Sequence, residues 1–236
     1  MTAPFRHTFE GMIWSVRVDP ASPYMALEVR YKDRKEVSFY SIDPEEKRVI
    51  PVLHEFDEKW LWGIECIREG IIVLHSYVSA QTPEHQYLVA YDAASGEKAW
   101  ENYTDCFYAD HREGILSYPK KIQPKRLQLR AIRSGELIRP VDDLSEFRSI
   151  PLSLHYPVVD EESSCDILEY GLQSIRCQPE DGEWVLRIEQ EGEGEIYRDT
   201  LGSYTGKALS STFFLFENHL IYIKNKSEFV CLQMDC

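Results

Sequence analysis

An all-β fold is what this 236-residue sequence predicts, and three observations carry it. Apolar residues do not recur at helical spacing. Short runs rich in Val, Ile, Tyr, Phe and Trp recur instead, each ended by Gly, Asp, Pro or Ser, which is the pattern of strands joined by tight turns. The runs also repeat, with one layout per copy: strand, Glu-Gly turn, strand, longer loop, alternating strand, Ser-Gly-Glu turn, last strand. Four antiparallel strands in a unit of about 40–50 residues describe the blade of a β-propeller.

The elements follow in order. Trp14–Asp19 reads as a first strand and Glu36–Asp43 as a third strand of the first unit. In the second unit Ile67–Ile72 carries the turn Glu69-Gly70, and it returns 44 residues later as His111–Leu116 with Glu113-Gly114. Tyr87–Glu97 returns 39 residues later as Arg126–Glu136, both ending in Ser-Gly-Glu. Further third strands are Glu183–Glu189 and Glu228–Met234. Five third strands in 236 residues give about 47 residues per unit, a normal blade length. The last unit has no fourth strand of its own, and Phe5–Phe9 has no unit. The expectation is one propeller domain over residues 1–236, five blades of four antiparallel strands, closed by the N-terminal strand pairing beside Phe229–Leu232. Pro151, Pro157 and the acidic stretch 160–164 leave the register open between Leu144 and Leu168, and Gly192–Ser211 is weakly patterned. Four or six blades therefore remain open at this point.

One stretch carries a family likeness. Ala90-Tyr91-Asp92-Ala93-Ala94-Ser95-Gly96-Glu97-Lys98-Ala99-Trp100 resembles the tryptophan-docking repeat of quinoprotein-like β-propellers, with Ser95 where that repeat has Thr. Asp92 and Ser95 suit a turn held by side-chain to backbone bonds. The resemblance implies that Trp100 packs flat between neighbouring blades. It does not imply a quinone enzyme, because the chain is short for such a ring and lacks adjacent cysteines. The overall likeness is to uncharacterised bacterial propeller families with degenerate repeats, which bring no activity with them.

Composition narrows function by exclusion. With 26 basic and 40 acidic side chains the net charge is −14, unsuited to a protein that tracks nucleic-acid phosphates. No run of 18 apolar residues marks a membrane-spanning helix. The residues from Met1 to His7 lack the pattern of a secretion signal. Six scattered cysteines (66, 106, 165, 177, 231 and 236) read as buried free thiols in a reducing compartment, so a cytoplasmic location is expected. The charge is uneven: residues 1–140 sum to −2 and residues 141–236 to −12. A basic stripe within 120–139 makes Lys120, Lys121, Lys125 and Arg126 a candidate interaction surface. The same residue types also guard an edge strand against pairing.

First strands of blades line a propeller's channel, so Trp14, Arg17, Trp62, Glu65, Asp110 and His111 are the ligand-binding candidates. Trp14, Trp62 and Trp184 are also expected to pack in the core. The seven histidines show no metal-ligand spacing, so neither a metal nor another cofactor is expected. No glycine-rich phosphate loop and no Gly-x-Ser-x-Gly elbow is present. The acidic string Glu189–Glu195 reads as a solvated turn rather than a calcium loop. With no catalytic residue indicated, the reading is a non-enzymatic binding or protein-interaction module, holding a protein partner or small ligand at the ring mouth. The alternative is a glycoside hydrolase using Glu65 and Asp110 as its carboxylate pair.

Overall fold

The computed structural model describes residues 3–111, 113–143, 154–160, 165–203 and 212–234, and every regular element among them is a β-strand. The chain divides into two compact units, one of Trp14–Leu152 and one of Met1–Ile13 with Ser153–Cys236. The N-terminal strand β1 (Phe5–Thr8) belongs to the second of these.

Three antiparallel meanders build the unit of Trp14–Leu152. Sheet A runs β2 (Met12–Val18), β3 (Met25–Tyr31), β4 (Glu36–Asp43) and β5 (Arg48–Pro51). Sheet B runs β6 (Trp62–Arg68), β7 (Ile71–Ser79), β8 (Thr82–Asp92) and β9 (Lys98–Asn102). Sheet C runs β10 (Asp105–His111), β11 (Gly114–Pro119), β12 (Leu127–Arg130) and β13 (Leu137–Val141). Strand alternation sends one set of side chains inward. Val37, Phe39, Trp62, Ile64, Leu74 and Tyr91 form a buried layer between A and B. Cys66, Val73, Leu88, Trp100, Ile115 and Ile132 do the same between B and C.

The turn after β8 is held as its residues require. Asp92 Oδ1 accepts from the Ala94 and Ser95 amides at 3.0 and 2.9 Å and from the Ser95 hydroxyl at 3.1 Å. From β9 the Trp100 ring reaches sheet C, where its Nε1 donates to the Ile132 carbonyl at 2.7 Å. It lies against Gly135, whose φ is +69°; a Cβ there would come within 2.6 Å of the indole. Glycine is needed at that position both for the left-handed backbone and for the space.

The second unit has two sheets. Sheet D runs β16 (Cys165–Tyr170), β17 (Gln173–Glu180), β18 (Glu183–Gln190) and β19 (Gly194–Ser203), with the short β15 (Val158–Asp160) beside β16. Sheet E runs β20 (Phe213–Phe216), β21 (His219–Lys224) and β22 (Glu228–Gln233), with β14 (Leu154–His155) beside β20. Its far edge is completed by β1, which pairs antiparallel with β22 from Phe5 opposite Cys231 to Thr8 opposite Glu228. Trp184, Leu186, Ile188, Phe213, Tyr222 and Leu232 share the core between D and E.

All five expected third strands occupy third place in a meander, and the N-terminal strand completes the last sheet as expected. Much of the stretch whose register the sequence left open, 144–153 and 161–164, lies outside the described residues, as do 204–211. Five cysteines (66, 106, 165, 177 and 231) are free and buried, in line with expectation. Among the described residues no helix is long and apolar enough to cross a membrane.

One core assignment is corrected. Trp62 and Trp184 are buried, but Trp14 is 60% exposed. The two-residue period of β2 points Ile13 inward and therefore Trp14 outward, where the Arg30 guanidinium lies 5.5 Å from the ring.

Candidate functional site

Sheet B breaks its own regularity at several places, two of them beside Glu65 and His75. The β6–β7 register shifts between Ile64 and Cys66, making Glu65 an extra residue on β6, and the β7–β8 register shifts between Leu74 and Ser76, where His75 of β7 stands opposite two residues of β8, Tyr87 and Leu88. A bulge re-aims the side chain it carries, which is why bulges gather next to binding and active sites. His75 sits opposite Gly63 on β6, and His85 sits opposite Tyr77 across β7 and β8. A Cβ at position 63 would fall 2.9 Å from His75 Cε1, so the imidazole occupies space that only glycine leaves.

These placements bring three polar side chains together within sheet B. His85 Nδ1 lies 2.7 Å and His75 Nδ1 3.1 Å from the same oxygen, Glu65 Oε1. The two imidazoles stack at 3.7 Å with their planes 7° apart, and the Tyr77 ring meets both edge-on at 4.5 and 5.0 Å. Glu65 and His75 side chains are only 9% and 4% exposed, whereas His85 keeps 34% of its surface and gives the cluster its access to solvent. Burial pushes the Glu65 carboxyl up, but the adjacent His75 and His85 outweigh it and hold the group below the usual carboxylate range. His75 is less well served. Neither of its buried ring nitrogens has a hydrogen-bond partner, so the 3.1 Å approach to Glu65 is a contact made off the N–H direction. One donor atom from each of Glu65, His75 and His85 lies within 4.8 Å of the others, so among the described residues these three could hold a metal ion.

Of the residues singled out from the sequence, Glu65 is the one the structure places in this cluster. Asp110 has a separate partner, the Arg68 guanidinium at 3.5 Å, and burial pushes its carboxyl up despite that cation. His111 is buried at the end of β10; its carbonyl accepts from Arg68 and its Nδ1 from the Glu113 amide at 3.2 Å. Trp62 is a core residue stacked on Phe56 at 3.6 Å, and Arg17 is exposed on β2. The basic stripe is partly occupied. Lys120 reaches Gln86 and Glu84 at 3.1 and 3.7 Å, and Lys125 lies 4.2 Å over the Tyr118 ring, while Lys121 and Arg126 are exposed.

Sequence reasoning missed His75 and His85. A signal was present: positions 65, 75 and 85 lie on three consecutive strands, spaced symmetrically about turns near 70 and 80. In an antiparallel meander such positions become neighbours.

Residues 18–100 match a family model described as Domain of unknown function (DUF4905), a stretch containing Glu65, His75 and His85. No curated protein matches the chain. Among solved structures the chain is similar to a eukaryotic initiation factor, at 9% identity and TM-score 0.37, over 91% of this chain and 49% of that one. It is similar to TolB from Acinetobacter baumannii at 13% identity and TM-score 0.29, over 84% of this chain and 45% of that one. A third is the β-propeller domain of the Trilobed protease from Pyrococcus furiosus, described as having an open velcro topology, at 13% identity and TM-score 0.35 over 95% and 68%. The chain thus spans about half the length of the first two.

Proposed function

We propose that this chain is a five-bladed β-propeller of the quinoprotein-like kind that works as a cytoplasmic binding module, with its ligand site at Glu65, His75 and His85. Five meanders in chain order, β1 completing the last of them, and Trp100 docked on Gly135 of the following sheet support the architecture. The buried free thiols agree with a reducing compartment. A protein contact, if it uses the basic stripe, runs through the exposed Lys121 and Arg126.

One observation carries the functional reading: an ionised carboxylate on the β6 bulge and an under-bonded histidine beside Gly63 are buried together. Such groups contribute little to stability, and apolar residues of similar volume would serve the fold as well or better. Their presence therefore points to a ligand. The geometry does not favour the paired-carboxylate hydrolase. Glu65 is engaged by two imidazoles, and Asp110, whose carboxyl burial pushes up, is engaged separately by Arg68.

The test is to replace the whole cluster with hydrophobes, Glu65→Met with His75→Leu and His85→Leu, and measure the urea midpoint. A binding site predicts stability unchanged or raised by up to about 2 kcal/mol. A loss of about 3 kcal/mol or more makes the cluster a structural pin and overturns the reading.

A further inference from the structure

We propose that Glu65, His75 and His85 form a site for one divalent first-row transition ion of the Zn2+ type, held with a coordination position left over for a water or an exogenous ligand. The inference rests on the reading of this cluster as the binding site and names what it binds.

The donor set comes first. Two imidazoles and one carboxylate suit Zn2+, Co2+ or Ni2+, whereas Mg2+ and Ca2+ prefer cages made of oxygen alone. Three protein ligands are what open sites use, with the fourth position kept for water or ligand.

Spacing is the second argument. Bonds of about 2.0–2.2 Å at a tetrahedral centre set neighbouring donor atoms about 3.3 Å apart. The nitrogens stand 2.7 and 3.1 Å from Glu65 Oε1, so an ion needs these two gaps to open by about 0.6 and 0.2 Å. The stacked rings must open well away from parallel to bring both in-plane lone pairs onto one ion, and the 34% exposure of His85 leaves that ring room to swing.

Direction is the third. Two ligands of one ion do not aim at each other; each aims at the metal, about 35° off the line joining them in a tetrahedral site. His85 Nδ1 is hydrogen-bonded to Glu65 Oε1 at 2.7 Å and must turn from it to take up an ion, whereas His75 is already off that line. The His75 Nδ1 is 3.1 Å from Oε1 yet makes no hydrogen bond to it, although the ring is buried and needs a partner. A metal on the Nδ1 lone pair supplies that partner. The missing Cβ at Gly63 and the edge of Tyr77 hold the ring in place beforehand, which lowers the ordering cost of binding.

The experiment takes the full chain, stripped with a chelator, and titrates it with Zn2+ by calorimetry and with Co2+ by visible absorption. One ion per chain and a raised melting temperature are expected for the native sequence. Glu65→Gln and His75→Asn, each checked for native circular dichroism, are expected to weaken Zn2+ binding by at least about 100-fold. His155→Ala, at an exposed histidine outside the cluster, is expected to change nothing. Zn2+ binding that survives Glu65→Gln and His75→Asn together overturns the proposal, because the ion then sits elsewhere. Absence of both heat and Co2+ absorption overturns it as well. In that case the hydrophobic triple variant separates the two ideas: if its stability is kept, the cluster remains a site for another ligand, and if stability collapses both readings fall.

Discussion

Two carboxylates, one in each unit, are buried to the same degree and treated differently by their neighbours. The Asp199 side chain is 8% exposed and that of Glu65 9%. Asp199 Oδ2 accepts from Arg6 and Tyr222, both at 2.6 Å, and its Oδ1 from Lys224 at 2.7 Å and the Thr200 amide at 2.8 Å. The chain of bonds continues outward, with Tyr197 and Tyr222 hydroxyls 2.6 Å apart and Arg6 also donating to Tyr197 and Glu228 at 3.0 Å. Every partner of Asp199 comes from a strand that must stay together: β1, β19 and β21. Glu65, by contrast, faces two imidazoles that converge on one oxygen, and one of them is left without a hydrogen bond. Equal burial with unequal satisfaction separates a group that holds the fold from a group the fold holds for something else.

The sharpest way to break this comparison is Asp199→Ala. It removes the counter-charge of Lys224 and one of the two carboxylates that Arg6 pairs with, and loosens the tie of β1 to sheet D. A loss of about 3 kcal/mol is expected in urea unfolding. The triple replacement at Glu65, His75 and His85 is expected to cost nothing. If the two variants lose similar stability, the distinction between the networks is gone.

Acid unfolding is the next test in size. Burial raises the Asp199 carboxyl, but hydrogen bonds from Lys224, Tyr222 and Arg6 more than offset this and bring it from the ordinary 3.8 down to about 2. A carboxylate with a depressed folded pKa stabilises fully above its unfolded value and loses that contribution as pH falls through the folded one. From pH 6 to pH 2 the stability gap between the native sequence and Asp199→Ala is therefore expected to narrow by about 2 kcal/mol. A gap that stays constant over this window means that Asp199 is not the titrating latch.

How much of this was legible in the sequence follows the same division. The meanders were legible because alternation and Glu-Gly or Ser-Gly-Glu turns are local signals, repeated in Ile67–Ile72 and His111–Leu116. Even the β1–β22 pairing was legible, as an arithmetic need for one more strand. Trp14 misled because a large aromatic suggests burial, while the phase of β2 was set by Ile13. Glu65 stood out as an acid on a first strand. His75 and His85 did not, because their convergence depends on two bulges, and a one-residue shift is invisible to composition and to pattern. The Asp199 latch was out of reach for a different reason. Arg6 and Asp199 are 193 residues apart, and nothing local to either indicates the other.

The smallest expected effects come from two tyrosines, one fully buried and one half-buried, with different partners. Tyr222→Phe removes a donor to an ionised carboxylate and an acceptor for Tyr197, and burial with these bonds already pushes its hydroxyl pKa up. The expected cost is about 1.5 kcal/mol. Tyr77→Phe leaves its ring against both histidines and removes a hydroxyl that bonds to no other group among the described residues. Its expected cost is within about 0.5 kcal/mol, with Zn2+ affinity unchanged. A Tyr77→Phe loss equal to that of Tyr222→Phe, measured by urea midpoint, makes the hydroxyl part of the Glu65 cluster. The cluster would then be as closely bonded as the Asp199 network, and the case for a ligand there would lose its ground.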